Sequence, residues 1–115
     1  VNEMKAGDYN PVHIHQGKLY TGLSSVMILK LPKDYGPELT QPDQPMNGRL
    51  QILGNASGQF VKADYSPQVK IGDFYIFPYD MKHVVYPFTN KKAKRRTLVC
   101  NVDVTYNSIT SRTAQ

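Results

Sequence analysis

Two of the chain's three histidines, His13 and His15, stand one residue apart in the stretch YNPVHIHQG. On an extended strand, side chains two apart project to the same side, so these imidazoles converge while Val12 and Ile14 point the other way. A pair of clustered neutral imidazoles suits a transition metal. Without one, each ring needs its own hydrogen-bond partner, which is the ordinary condition of a lone, partly buried histidine. The third histidine, His83, follows GDFYIFPYDMK and opens the apolar run HVVYPF. Ligands drawn from an early strand and a late one suit a sheet that rolls up on itself.

The run RRTLVCNVDV raises a second chemical question. Strand alternation puts Arg95, Thr97, Val99 and Asn101 on one face and Arg96, Leu98 and Cys100 on the other. Either one arginine points inward, or both belong to the solvated tip KKAKRR. An inward guanidinium needs an anion, because an unpaired buried cation costs several kcal/mol. Beside a hydroxyl residue two positions on, it would bind a carboxylate well.

The elements that must position these groups are short. Apolar runs VNEM, VHIH, SSVMILKL, RLQIL, QFVKA, FYIFP, HVVYPF and RTLVCNVDV are broken by segments rich in Gly, Pro, Asn and Asp. No segment keeps a 3.6-residue apolar period, so the expectation is an all-β fold of about eight strands with at most one short helix. At 115 residues and 40% hydrophobic, the chain is expected to be a single domain, 1–115, around one core. Because it begins at Val1 rather than Met, the expectation leaves room for an N-terminal extension. The Pro-rich loop 32–48 exceeds the ordinary loop length and suits a cover over a site.

Composition narrows the function. The formal charge of +5 comes from one place: KKAKRR carries five positive charges, and elsewhere the signs balance at nine each. A single basic loop fits a hairpin tip better than a nucleic-acid-binding face. Cys100 is the sole cysteine, which excludes an internal disulfide and fits a reducing compartment. No apolar run approaches the roughly 18 residues of a membrane span, and none reads as a leader, so a soluble, cytoplasmic protein is expected.

Taken together, VNEMKAGDYNPVHIHQG, GDFYIFPYDMKHVVYPF and the arginine with a hydroxyl residue two positions later resemble a known group. It is that of the iron(II)- and 2-oxoglutarate-dependent oxygenases, in particular the small ones of marine cyanophages and marine bacteria. His83 lies twelve residues before Arg95, and Asn101 six after it; the resemblance runs from Val1 to about Val104. It implies a double-stranded β-helix, a jelly roll with a cupin-like barrel, holding iron at its open end. The metal ligands it implies are His13, His15 and His83. His15 stands where most of the superfamily carries Asp or Glu, so the departure implies either a three-histidine centre or a carboxylate from elsewhere, Asp80 or Asp43. The co-substrate residues are Arg95 and Thr97, with Asn101 beside them. The implied activity is a dioxygenase reaction that couples oxidative decarboxylation of 2-oxoglutarate to hydroxylation of a C–H bond by molecular oxygen. The substrate would be a small molecule or a peptide, met in the cytoplasm, that of the host if the protein is phage-encoded.

Two other readings compete. GDFYIFPYDMKH is similar to the second motif of the cupins, with Gly72, Pro78 and His83 in place and Asp80 where glycine is usual. HIHQGKLYTG, however, lacks the glutamate of their first motif. A metal-binding cupin without 2-oxoglutarate has no use for an inward Arg95 with Thr97. In the remaining reading, KKAKRR with Tyr20, Tyr75, Tyr79 and Tyr86 forms a nucleic-acid surface, although tyrosines at strand positions more often pack in the core or rim.

Overall fold

Turn chemistry divides the chain into eight strands and, among the described residues, no helix. A computed structural model describes residues 1–19, 21–39, 45–54 and 58–105. The strands are β1 (Asn2–Lys5), β2 (Asn10–His13), β3 (Gly22–Lys30), β4 (Leu50–Leu53), β5 (Asp64–Tyr65), β6 (Phe74–Pro78), β7 (His83–Val85) and β8 (Lys94–Asp103). They form two four-stranded antiparallel sheets, ordered β1-β8-β3-β6 and β2-β7-β4-β5. The chain crosses repeatedly between the sheets, as a jelly roll does, and so makes neighbours of β2 and β7 from opposite ends of the sequence.

Three expected strands are displaced or shortened, two of them for a local reason. The run QFVKA (59–63) is not a strand; pairing begins only at Asp64, after a turn in which Gly58 has φ 126° and Phe60 has φ 64°. Left-handed backbone cannot continue a pleated strand. The run VHIH shifts back to Asn10–His13, with a bulge between Asn10 and His13 where Pro11 has no N–H to give the ladder. His15 therefore lies beyond the strand, and simple alternation does not place it. β7 stops at Val85, short of the expected Phe88.

Side chains from both inner faces fill the space between the sheets. Met4, Leu50, Val85 and Phe88 form one buried cluster, and Val26, Ile28 and Phe77 a second. The long loop is fastened at its described part. Tyr35 packs edge-on against Phe88 at 5.6 Å between ring centres, and its carbonyl accepts the N–H groups of Thr89 and Asn90. Asn90 also donates to the Asp34 carbonyl (2.8 Å) and Thr89 to that of Pro37 (2.7 Å). Gly48, at φ +67°, is required beneath this ring, because a Cβ there would come within 2.1 Å of it.

Phe88, fully buried, joins the first cluster to this loop. Phe88→Ala should cost about 3–5 kcal/mol of unfolding free energy. The check is urea denaturation, in which an unchanged midpoint would contradict the packing role.

Candidate metal centre and anion pocket

β2 and β7 set His13 directly opposite His83, and the two rings lie 4.1 Å apart between centres. His15 comes to the same place by another route. Its backbone N–H donates to the Tyr79 carbonyl (2.6 Å) in the β6–β7 connection, and its ring stacks on His83 at 4.8 Å with 13° between planes. A side-chain clasp holds this segment. The Asp103 carboxylate accepts from the N–H groups of Lys18 and Leu19 and from the Tyr79 hydroxyl (3.0 Å). Gly17 lies so close beneath it that a Cβ would meet Asp103 Oδ1 at 1.9 Å.

One ring nitrogen from each histidine lies within 4.8 Å of the other two. Side-chain rotation brings such groups to the roughly 3–4 Å spacing of ligands that share one metal at about 2.1 Å. The outer nitrogens are tied down: His83 Nδ1 donates to the Met81 carbonyl (3.0 Å) and His13 Nδ1 to that of Pro11 (2.5 Å). Both rings then present an unprotonated Nε2, the usual arrangement behind a metal-binding histidine. Burial, first of all, pulls the pKa values of His15 and His83 down. A neighbouring imidazole adds to this in both, so the neutral, ligating form is favoured.

Asn101 was expected near the co-substrate. Its amide meets His15, with Nδ2 3.3 Å from Nδ1. With that amide donating, His15 carries its proton on Nε2, which faces His83 Nε2 at 3.0 Å. A metal would take the place of that proton, and the same amide, turned over, would accept from Nδ1–H.

On the other wall of the same cavity, β8 turns Arg95 and Thr97 inward, both only 3% exposed, while Arg96 points out to Glu3 at 2.6 Å. The cavity, about 170 Å³, is lined by the three histidines together with Arg95, Thr97, Asn2, Asn10 and apolar residues of both sheets. Arg95 has no carboxylate partner among the described ion pairs, and its Nε and Nη2 are buried with no hydrogen-bond partner. Burial lowers its pKa, and the Tyr35 hydroxyl, which lies against the guanidinium, offsets part of this. A larger recess of about 400 Å³, on the side of Tyr35, Arg49 and Lys70, contains none of the histidines.

Of the two alternative carboxylate ligands, one can be placed. Asp80 is exposed and outside it, and Asp43 lies outside the described residues. Of the tyrosines considered for a nucleic-acid surface, Tyr20 is likewise outside the described residues. Tyr75, Tyr79 and Tyr86 donate to Asp73, Asp103 and Gln51. Sequence reasoning missed Tyr35 behind Arg95 and the Tyr79–Asp103 clasp. No local pattern marks Tyr35, whereas Asp103 could have been suspected as the lone acid of β8.

Residues 1–101 match the family described as putative 2OG-Fe(II) oxygenases. The chain belongs to that family. No curated protein and no solved structure matches it. The group's metal fits the residues present: three convergent imidazoles, two of them anchored through Nδ1, and an unpaired cation across the cavity. Removing the amide behind His15 in Asn101→Leu should weaken iron(II) binding about ten- to a hundredfold while leaving the fold intact. Anaerobic calorimetric titration reads this, and unchanged affinity would remove Asn101 from the centre.

Proposed function

We propose that the protein is an iron(II)- and 2-oxoglutarate-dependent oxygenase that hydroxylates a small molecule or a peptide. In this reading His13, His15 and His83 hold the iron, and Arg95 with Thr97 holds the distal carboxylate of 2-oxoglutarate. The observation that carries it is Arg95, a buried guanidinium with two unpaired nitrogens in a cavity shared with three histidines. A cation so placed is stabilised by an anion that arrives with a ligand, and its planar donors suit a carboxylate. Family membership supports the same reading.

When bound, iron supplies oxygen activation coupled to decarboxylation of the co-substrate. The chain's own residues bind and orient. Three imidazoles contribute no negative charge, so the cation keeps its full attraction for the dicarboxylate, and iron retention depends more strongly on co-substrate than with a carboxylate ligand. Arg95 and Thr97, adjacent on the inner face of β8, fix the far end of that dicarboxylate. Apolar neighbours Val26, Leu50, Val85 and Val99 limit the water around it. The cavity's volume equals that of about half a dozen waters at roughly 30 Å³ each. It suits a small co-substrate, so the hydroxylated substrate would approach from the side of the histidines. The cupin alternative leaves the unpaired guanidinium nitrogens without a use.

Arg95→Ala removes a charge-assisted contact worth about 1.5–3 kcal/mol, so 2-oxoglutarate should bind about ten- to a hundredfold more weakly with metal binding nearly unchanged. The measurement is calorimetric titration of the iron-loaded protein without oxygen; equal affinity in both proteins would sink the assignment. His83→Ala should lose iron and, with it, 2-oxoglutarate, as metal analysis of the purified variant would register. Wild-type protein loaded anaerobically with iron should turn over 2-oxoglutarate slowly on admission of oxygen, even without substrate.

A further inference from the structure

Among the described residues, Arg95 shares its condition of being buried with unpaired polar atoms with one other side chain, that of Ser24. Ser24 lies in β3 with no exposed surface, and its hydroxyl has no hydrogen-bond partner. The next residue shows the contrast. Ser25, on the outer face and partly exposed, donates to the Cys100 carbonyl (3.1 Å). Ordinarily a buried hydroxyl is satisfied and an exposed one is left to water. Here the order is reversed.

Strand registers place Ser24 directly across from Asn101 on β8 and from Phe77 on β6, so the three side chains form one row on the inner face of their sheet. Both flanking residues touch the histidines. Phe77 meets the His83 ring edge-on at 5.0 Å between centres, and the Asn101 amide meets His15 Nδ1 at 3.3 Å. Of the two, only Asn101 is polar. The diagonal neighbour Asp103, across from Gly22, is already engaged with the Tyr79 hydroxyl and the N–H groups of Lys18 and Leu19. Directly opposite residues have Cβ atoms about 4.5–5.5 Å apart, so rotation about χ1 brings a serine hydroxyl within reach of the amide beside it.

In the metal-free arrangement that amide donates to His15 Nδ1. With iron in place of the proton on His15 Nε2, Nδ1 carries the proton and the amide must present its oxygen instead. Turning over exchanges the two ends of the amide, and its NH2 group then needs an acceptor where the oxygen stood. A serine hydroxyl can accept as well as donate. We propose that Ser24 is a positioning residue of the metal centre, whose hydroxyl accepts from the turned-over Asn101 amide and so holds the His15 tautomer that leaves Nε2 free for iron. This role rests on the three-histidine iron centre proposed above. An unpaired hydroxyl destabilises the metal-free chain, and alanine would occupy the same position without that cost. The serine is therefore useful in one state only, the one in which metal is bound.

The test is anaerobic calorimetric titration of iron(II) into the wild type, Ser24→Ala, Asn101→Leu and the double variant. Ser24→Ala should bind iron about three- to tenfold more weakly, the loss of one ordinary hydrogen bond. In the Asn101→Leu background the same change should weaken binding no further, because the hydroxyl acts only through the amide. Thermal unfolding of the metal-free protein should move the other way, with the Ser24→Ala midpoint equal or higher, since a buried unpaired hydroxyl has been removed. A purely structural serine would lower both. With zinc(II) as a diamagnetic stand-in, the His15 Nδ1–H proton should be resolved by NMR and should exchange with water about tenfold faster in Ser24→Ala. Equal iron affinity and equal exchange in the wild type and Ser24→Ala would overturn the proposal, as would a loss of affinity that persists undiminished in the Asn101→Leu background. A wild type that takes up no iron(II) is a separate failure: it removes the three-histidine centre itself, and the role of Ser24 falls with it.

Discussion

The guanidinium of Arg95, buried between two sheets with two of its three nitrogens unpaired, is the constraint around which the site is arranged. Desolvating a cation costs several kcal/mol unless a counter-charge offsets it. Tyr35 offers one hydroxyl, and the described residues offer no carboxylate. The neighbouring Arg96 shows the contrast. One residue along the strand, it turns to solvent and pairs with Glu3, an exposed bridge of small energetic consequence. Two adjacent residues of one type thus differ in role because the pleat sends them to opposite faces.

The histidine cluster depends on topology in the same way that Arg95 depends on pleat. Crossing between sheets brings β2 and β7 side by side, and their register sets His13 across from His83. Backbone carbonyls of Pro11 and Met81 hold the Nδ1 sides, so ring orientation is decided by chain geometry rather than by crowding alone. His15 lies off the end of its strand, and the clasp of Asp103 on Tyr79, Lys18 and Leu19 holds it there. β8 therefore contributes to the site three times along its length: Arg95 lines the cavity, Asn101 meets His15, and Asp103 holds the segment that carries His15.

β3 carries apolar side chains on both faces, which explains why it reads so clearly as a strand and so poorly as a half-buried one. In GLSSVMILK the inward set is Ser24, Val26 and Ile28, and the outward set is Leu23, Ser25, Met27 and Leu29. Polarity alone does not say which faces the core. Ser24, fully buried with an unpartnered hydroxyl, is even on the side that polarity would have assigned to water. Packing against the second sheet decides the matter, because only one face of a sheet can close over Leu50 and the histidines.

Local sequence determined the strand count and the all-β class, because Gly, Pro, Asn and Asp punctuate short apolar runs and no helical period competes with them. The types and spacing of His13, His15, His83, Arg95 and Thr97 also marked them as candidates for one site, and the structure lines a single cavity with them. Alternation was less secure as a guide to direction. It gave Arg95 and Thr97 a common face correctly, but it brought His15 to His13 through a strand that ends too soon, since Pro11 and the bulge break the period. Tertiary structure alone decided that Asn101 meets His15, that Tyr35 backs Arg95, and which face of β3 is the core. Each of these is a contact between residues distant in sequence, set by how the two sheets are registered and closed, and such long-range geometry leaves no mark on the local pattern of either partner.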